Sequence, residues 1–181
     1  GAFGVNGALA RIVSGLGFGY QPPPTMPSFQ AELPWGEADV KQRLENVIYI
    51  HVLGLPGVKF TALIPKRAYV TATLIGPEAG PETLAAFLAH PLVARHLPPG
   101  WQMPPSYCRC RPRVPVGPCR QPFTDQLVII GDASDSRLYK NGLESAYVTA
   151  QAAAVAAVQH GVSRQAWEKH YYPTCRRIVQ D

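Results

Sequence analysis

A short apolar run, Leu127-Val128-Ile129-Ile130, leads straight into Gly131-Asp132-Ala133. Ten residues later Lys140-Asn141-Gly142-Leu143 opens an alanine-rich stretch that reaches Ala157. The order has a physical logic. A buried strand that ends in glycine and aspartate brings a carboxylate to the carboxyl edge of a sheet, where ligands of open α/β folds bind. A helix that begins nearby offers free backbone N–H groups and a partial positive charge to the same place. Glycine at 142 lets a flat or phosphorylated ligand approach the backbone closely. The competing reading makes Asp132 a turn former whose carboxylate satisfies nearby backbone donors.

Other chemistry-bearing residues give weaker signals. Cys108 and Cys110 would share one face of a strand, since side chains alternate with period two. With Cys119 and Cys175 they form no usual zinc spacing, and no histidine lies close by in sequence to complete four ligands, so they read as buried or incidental thiols and no metal is expected. His51, His90, His96, His160 and His170 are scattered and read as surface or capping residues. Trp35, Trp101 and Trp167 read as core or interface anchors. Arg137, Tyr139 and Lys140 stand closest to the Asp132 segment and are candidates by position, but no catalytic side chain is named from them.

The elements that must position these residues follow from periodicity and breakers. Ala8 to Leu16 reads as a short helix stopped by Gly15 and Gly17. Phe29 to Leu33, Val47 to Leu53, Lys59 to Ile64 and Tyr69 to Ile75 read as strands, the last two joined around Pro65-Lys66-Arg67 into a meander. Pro81 to Leu92 reads as helical, with Leu84, Phe87 and Leu88 at helical spacing and Pro91 ending the run. Trp101 to Arg113 reads as an extended return. Gln126 to Ile130 reads as a strand and Gly142 to His160 as a long helix, with Asn141 and Glu144 as its capping box and Gly161 as its left-handed stop. Ser163 caps a further helix that Pro173 interrupts or ends.

The bulk composition bounds the class. A chain of 181 residues with 46% hydrophobic and 16% charged residues is an ordinary folded protein. Nineteen prolines are about twice the usual share of roughly 5%, and they mark loops and sheet edges. The net charge is +5. No acid occurs between Glu82 and Asp125, whereas Arg95, Arg109, Arg111, Arg113 and Arg120 fall inside that gap. A basic face is expected there, either solvated or suited to an anion, a headgroup or a phosphate. The arginines alternate with prolines and cysteines in no nucleic-acid-binding motif, so no nucleic-acid partner is expected. With no signal peptide and no apolar run long enough to span a bilayer, the expectation is a cytoplasmic protein, with peripheral membrane contact left open for the basic face.

The string Gly131-Asp132-Ala133-Ser134, then Arg137-Leu138-Tyr139-Lys140-Asn141-Gly142-Leu143-Glu144-Ser145-Ala146, resembles the second FAD fingerprint of the geranylgeranyl-reductase-like flavoprotein oxidoreductases, relatives of the aromatic-ring hydroxylases. The stretch from Gly1 to Arg11 resembles the Gly-Ala-Asp-Gly-x-x-Ser-x-x-Arg segment of the same superfamily, with Phe3 and Gly7 in place of its Asp and Ser. Phe60 to Pro65 resembles the family's strand leading into a proline near the flavin. Lys140-Asn141-Gly142 replaces the commoner Pro-x-x-Gly-x-Gly. No Gly-x-Gly-x-x-Gly opens a βαβ unit in this sequence, so the residues that would hold the ADP half of FAD are absent from it.

The resemblance implies an α/β fold, α+β for this piece: part of an FAD/NAD(P)-binding domain with an inserted, mostly antiparallel β-sheet substrate domain. Residues 1–20 would end the first part of the FAD-binding domain, 21–113 would form the substrate domain, and 114–181 would return to the FAD-binding layer. Asp132 would accept a hydrogen bond from a ribityl hydroxyl. Gly131, Ala133 and the backbone of Lys140, Asn141, Gly142 and Leu143 would complete this part of the FAD contact. The implied function is a carboxy-terminal fragment of an FAD-dependent reductase or dehydrogenase acting on an apolar, isoprenoid- or lipid-like small molecule, incomplete by itself, with its electron donor unidentified. A flavin monooxygenase or halogenase is the alternative on a related scaffold. A non-enzymatic α+β interaction module with a basic face is the second.

Overall fold

The computed structural model describes residues 7–135 and 142–180. The chain forms two compact units: unit 1 comprises Gly1–Thr25 and Pro115–Asp181, and unit 2 comprises Met26–Val114. Helix α1 (Ala8–Gly15) comes first. Then follow β1 (Thr25–Pro34), α2 (Glu37–Leu44), β2 (Tyr49–His51), β3 (Phe60–Lys66), β4 (Tyr69–Ile75), α3 (Pro81–Ala89), α4 (Pro91–Ala94), β5 (Cys108–Cys110) and β6 (Arg113–Pro115). The chain returns through β7 (Phe123–Thr124), β8 (Leu127–Val128), a 3-10 turn at Gly131–Ala133, α5 (Gly142–His160), α6 (Arg164–His170) and α7 (Tyr172–Gln180). The fold class is α+β with an antiparallel sheet.

Unit 2 is a six-stranded sheet in the order β2-β3-β4-β1-β5, with β6 also on β1. The β3–β4 hairpin pairs Phe60 with Ile75 through Lys66 with Tyr69, and Arg67 turns it at φ 40°. Alternation sends Phe29, Ala31 and Leu33 of β1 to the same interior as Val70, Ala72 and Leu74 of β4. Helix α3 covers that interior with Leu84, Phe87 and Leu88, the i, i+3, i+4 stripe legible in the sequence.

Three readings of unit 2 need correction. The helix expected over Pro81 to Leu92 breaks at His90 (φ −64°, ψ 132°), because the residue before Pro91 is pushed out of the helical region. His90 Nδ1 then accepts the Leu92 N–H at 3.3 Å and caps α4. The strand expected over Val47 to Leu53 shrinks to Tyr49–His51, since β3 pairs with those three residues only. Helix α2 lay outside the sequence reading; only Val40 and Leu44 mark its buried side.

In unit 1, α1, the long α5 and the Ser163 cap form where the sequence puts them. Ser163 Oγ accepts the Ala166 N–H at 3.2 Å, and Gly161 ends α5 at φ 88°. Pro173 stands at the start of α7, where its missing donor costs no helical bond. The expected Asn141 capping box lies outside the described residues. The strand expected over Gln126 to Ile130 is two residues long, Leu127–Val128, and among the described residues pairs with β7 alone. Gln126, at φ 62°, turns the chain back, and Ile129 continues the pairing with one N–H donated to Pro122 O at 2.7 Å. The element before Gly131 is therefore one arm of a hairpin. No helix among the described residues is long and apolar enough to cross a membrane.

Candidate functional site

The turn after Ile130 is built by glycine. Gly131 adopts φ +64°, in the left-handed region that side chains disfavour. A Cβ on it would stand 3.3 Å from the Cβ of Ala146, so the turn is seated against α5 only because residue 131 has no side chain and residue 146 a small one. Thr149, buried inside α5, fixes the join: its Oγ1 accepts the Gly131 N–H at 2.9 Å and donates to Ser145 O at 2.6 Å.

The turn aims Asp132 outward. Asp132 is exposed whereas Gly131 and Ala133 on either side are buried. Its carboxylate lies against the first residue of α5, since a Cβ built on Gly142 would be 2.8 Å from Oδ1 and 3.0 Å from Oδ2. The structure thus brings Gly131, Asp132, Ala133 and Gly142 to one place. Leu143, one residue on, is 91% exposed, so its side chain packs against nothing among the described residues. Lys140 and Asn141, with Arg137 and Tyr139, lie outside the described residues.

Beneath the turn sits a polar network that the sequence reading did not contain. Tyr171 Oη donates to Ile129 O at 2.6 Å and stands 3.3 Å from Ser134 Oγ. Ser134 Oγ donates to Oδ2 of the buried Asp135 at 2.7 Å. Tyr20 Oη donates to Ala133 O at 2.7 Å, and Cys119 N–H to Ser134 O at 2.7 Å. Every acceptor here belongs to residues 129–135, so the network holds the backbone that presents Asp132. Burial, and then the neighbouring Asp135, push the Cys119 thiol up to about 12 and raise Cys175 as well. Burial above all keeps the Tyr171 hydroxyl protonated far beyond its ordinary range. These groups are structural donors, not proton carriers at neutral pH. The missed signal was Trp167, Tyr171 and Cys175 at spacing four, all buried, on one side of the last two helices.

The remaining candidates fall elsewhere. Cys108 and Cys110 are exposed on β5, opposite Glu32 and Gln30, whereas Cys119 and Cys175 are buried free thiols. Four of the five histidines pair, His160 stacking on His170 with ring centroids 3.5 Å apart and His51 lying 6.3 Å from His96, whereas His90 is a capping residue as expected. Sequence distance hid both pairs. No three potential metal ligands gather among the described residues. Trp35 and Trp101 meet edge to face at 6.4 Å, and Trp167 packs on Tyr171.

No family model and no curated protein matches the chain. Solved structures do. CmlS, described as a flavin-dependent halogenase, superposes with a TM-score of 0.65 at 16% identity over 98% of this chain and 34% of its own. The tryptophan 6-halogenase SttH from Streptomyces toxytricini gives 0.68 at 11% identity over 98% and 35%. A flavoprotein/dehydrogenase from Cytophaga hutchinsonii gives 0.60 at 15% identity over 93% and 44%. The chain spans about a third of the length of the first two and has the fold of the corresponding part of these flavoproteins.

Proposed function

We propose that this chain supplies one side of an FAD site in a flavin-dependent oxidoreductase. The observation that carries the reading is the exposed carboxylate of Asp132, held by a glycine turn against the first residue of a helix 19 residues long. The donor set fits the group. A carboxylate that accepts hydroxyl hydrogens, set beside the partial positive start of a long helix, suits a polyhydroxylated chain attached to a ring with carbonyl oxygens. Gly131, Asp132, Ala133, Gly142 and Leu143, with Lys140 and Asn141, are the residues that would hold it. Bound flavin would supply the redox chemistry, either passing a hydride to a substrate double bond or reacting in its reduced form with oxygen. What the chain's own residues do is bind and orient: Thr149 and Tyr171 hold the turn, and the turn holds Asp132.

Two finer readings divide the substrate class. The motif resemblance favours a reductase of an apolar, isoprenoid-like molecule. The neighbours described as halogenases support an oxygen-using enzyme at least as well. Oxygen uptake by the reduced complete flavoprotein, with and without halide and with released hydrogen peroxide measured, separates them: uptake coupled to product supports the second, and uptake absent or fully recovered as peroxide supports the first.

The cofactor reading is tested at Asp132. Asp132→Ala removes a charge-assisted hydrogen bond of roughly 1.5–3 kcal/mol. At about 1.4 kcal/mol per tenfold change, FAD affinity of the full chain should fall about ten- to hundredfold. Apoproteins matched by circular dichroism are titrated with FAD while flavin fluorescence is followed. Equal affinities would return Asp132 to the role of a turn former at the start of α5.

A further inference from the structure

We propose that a cleft at the edge of the unit 2 sheet, between β5 and the start of α3, binds the carboxylate or phosphoryl group of a small organic anion. Phe29, Pro81, Arg109, Cys110 and Arg111 line an open cleft of ≈ 450 Å³. That is within the range of small-molecule sites, about 300–1,000 Å³. Every lining residue lies in unit 2, so the inference stands apart from the flavin reading.

Both guanidinium groups are held in place by rings. The Arg111 guanidinium carbon lies 5.7 Å from the centre of the Phe29 ring, and that of Arg109 lies 5.8 Å from the Tyr107 ring. Stacked arginines lose less freedom when they take up a ligand than solvated ones do, and their planar forks match carboxylate and phosphate oxygens. Gly80 makes room for one of them, since a Cβ there would stand 3.1 Å from Arg111 Nη2.

The charges are out of balance. Arg111 stands at the start of a nine-residue helix, α3, whose partial positive end repels a cation. Glu82 is the only acid in that helix, and the sequence has no further acid until Asp125. The ion pairs among the described residues join Arg43 to Asp39, Lys66 to Glu32 and Arg67 to Glu37, leaving Arg109 and Arg111 without a carboxylate. Two exposed guanidinium groups, each over an aromatic ring and beside Pro81 at a helix start, select an anion attached to an apolar body.

The full chain is titrated calorimetrically with phenyl phosphate, benzoate and inorganic phosphate at low ionic strength, and its arginines are mapped with phenylglyoxal by peptide mass spectrometry. One saturable site is expected for phenyl phosphate or benzoate, and the better of the two assigns the phosphoryl or the carboxylate group. The bound anion should protect Arg109 and Arg111 from phenylglyoxal and leave the exposed Arg67 reactive. Arg109→Gln and Arg111→Gln should each weaken binding about tenfold or more. If Arg111→Gln fails to fold for want of its Phe29 contact, Arg109→Gln carries the test. Absence of saturable binding, or affinity unchanged in a folded Arg109→Gln, would overturn the site. So would inorganic phosphate binding as tightly as phenyl phosphate, or binding confined to phosphatidylserine vesicles.

Discussion

Unit 2 builds its interior from strands adjacent in the sheet and a helix laid across them, around one large cluster of aliphatic and aromatic side chains with a few buried threonines beside it. Unit 1 divides its interior into two small clusters, one around Phe123, Trp167 and Tyr171 and one around Tyr20, Cys119 and Ile129. Hydroxyl-to-carbonyl bonds join residues far apart in sequence, Tyr20 to Ala133 within the second cluster and Tyr171 to Ile129 between the two. Helix α5 meanwhile leaves Leu143, Tyr147 and Val158 exposed at 91%, 68% and 87%. The difference is one of cause. Unit 2 is held by alternation and apolar area, whereas the functional turn of unit 1 is held by a few polar contacts that single substitutions can remove.

The four thiols sharpen this contrast most. Cys108 and Cys110 lie exposed in unit 2, and Cys119 and Cys175 lie buried in unit 1. A buried thiol reacts only through opening, and an opening free energy of several kcal/mol corresponds to roughly a thousandfold slower labelling or more. Two thiols should therefore titrate rapidly with an aromatic disulfide reagent at pH 8, and two only when denaturant is added. The burial also sets a pH dependence. With the folded Cys119 raised from 9.0 to about 12, its contribution is complete below the unfolded value and is lost as pH rises between those two values. Rapid labelling of all four thiols in the folded protein would dissolve the distinction between the units.

A smaller effect is expected at Tyr171. Tyr171→Phe keeps the ring among Phe123 and Trp167 but leaves the buried Ile129 carbonyl without its donor, a cost of about 1–3 kcal/mol. Urea unfolding followed by far-UV circular dichroism measures it. If the polar network holds the turn, limited proteolysis should also find new cleavage near residues 129–135. Unchanged stability would mean that apolar packing alone holds unit 1, as it does unit 2.

The same difference explains what could be read in advance. The β3–β4 hairpin, the α3 stripe of Leu84, Phe87 and Leu88, and the whole of α5 were legible because each is specified by periodicity within a dozen or so residues. Gly142 was legible as a position of close approach, read there as room for a ligand, and in the structure the Asp132 carboxylate lies against it. The length of the preceding strand was not, because Gln126 in a left-handed turn gives no local sign of itself. Nor was the network of Tyr20, Ser134 and Tyr171, since a hydroxyl's partner more than a hundred residues away leaves no pattern along the chain. The stop at Pro91 was legible too, and only the extent to Leu92 was overdrawn, because Leu92 and Val93 belong to the separate short helix α4.

The smallest effect belongs to an ion pair on the unit 2 sheet that is joined to a buried hydroxyl. Glu32 accepts Lys66 Nζ at 2.9 Å and Thr71 Oγ1 at 2.8 Å, with Lys66 56% and Glu32 30% exposed. Partial burial would by itself raise the Glu32 carboxyl, but the bonds from Lys66 and Thr71 and the lysine's charge outweigh it and leave the carboxyl below its ordinary 4.5. A lowered folded value means the contribution is present above the unfolded value and disappears as pH falls through the folded one. Lys66→Gln should therefore cost less than about 1 kcal/mol at pH 7, because solvent and salt screen so exposed a lysine. The cost should shrink further in 0.5 M salt and vanish as the carboxylate protonates below pH 4.5. Urea midpoints of wild type and variant across that range measure it. A loss several times larger and insensitive to salt would mean that the unit 2 sheet, like the turn in unit 1, depends on polar contacts, and the contrast between the two units would then have to be drawn from their cores alone.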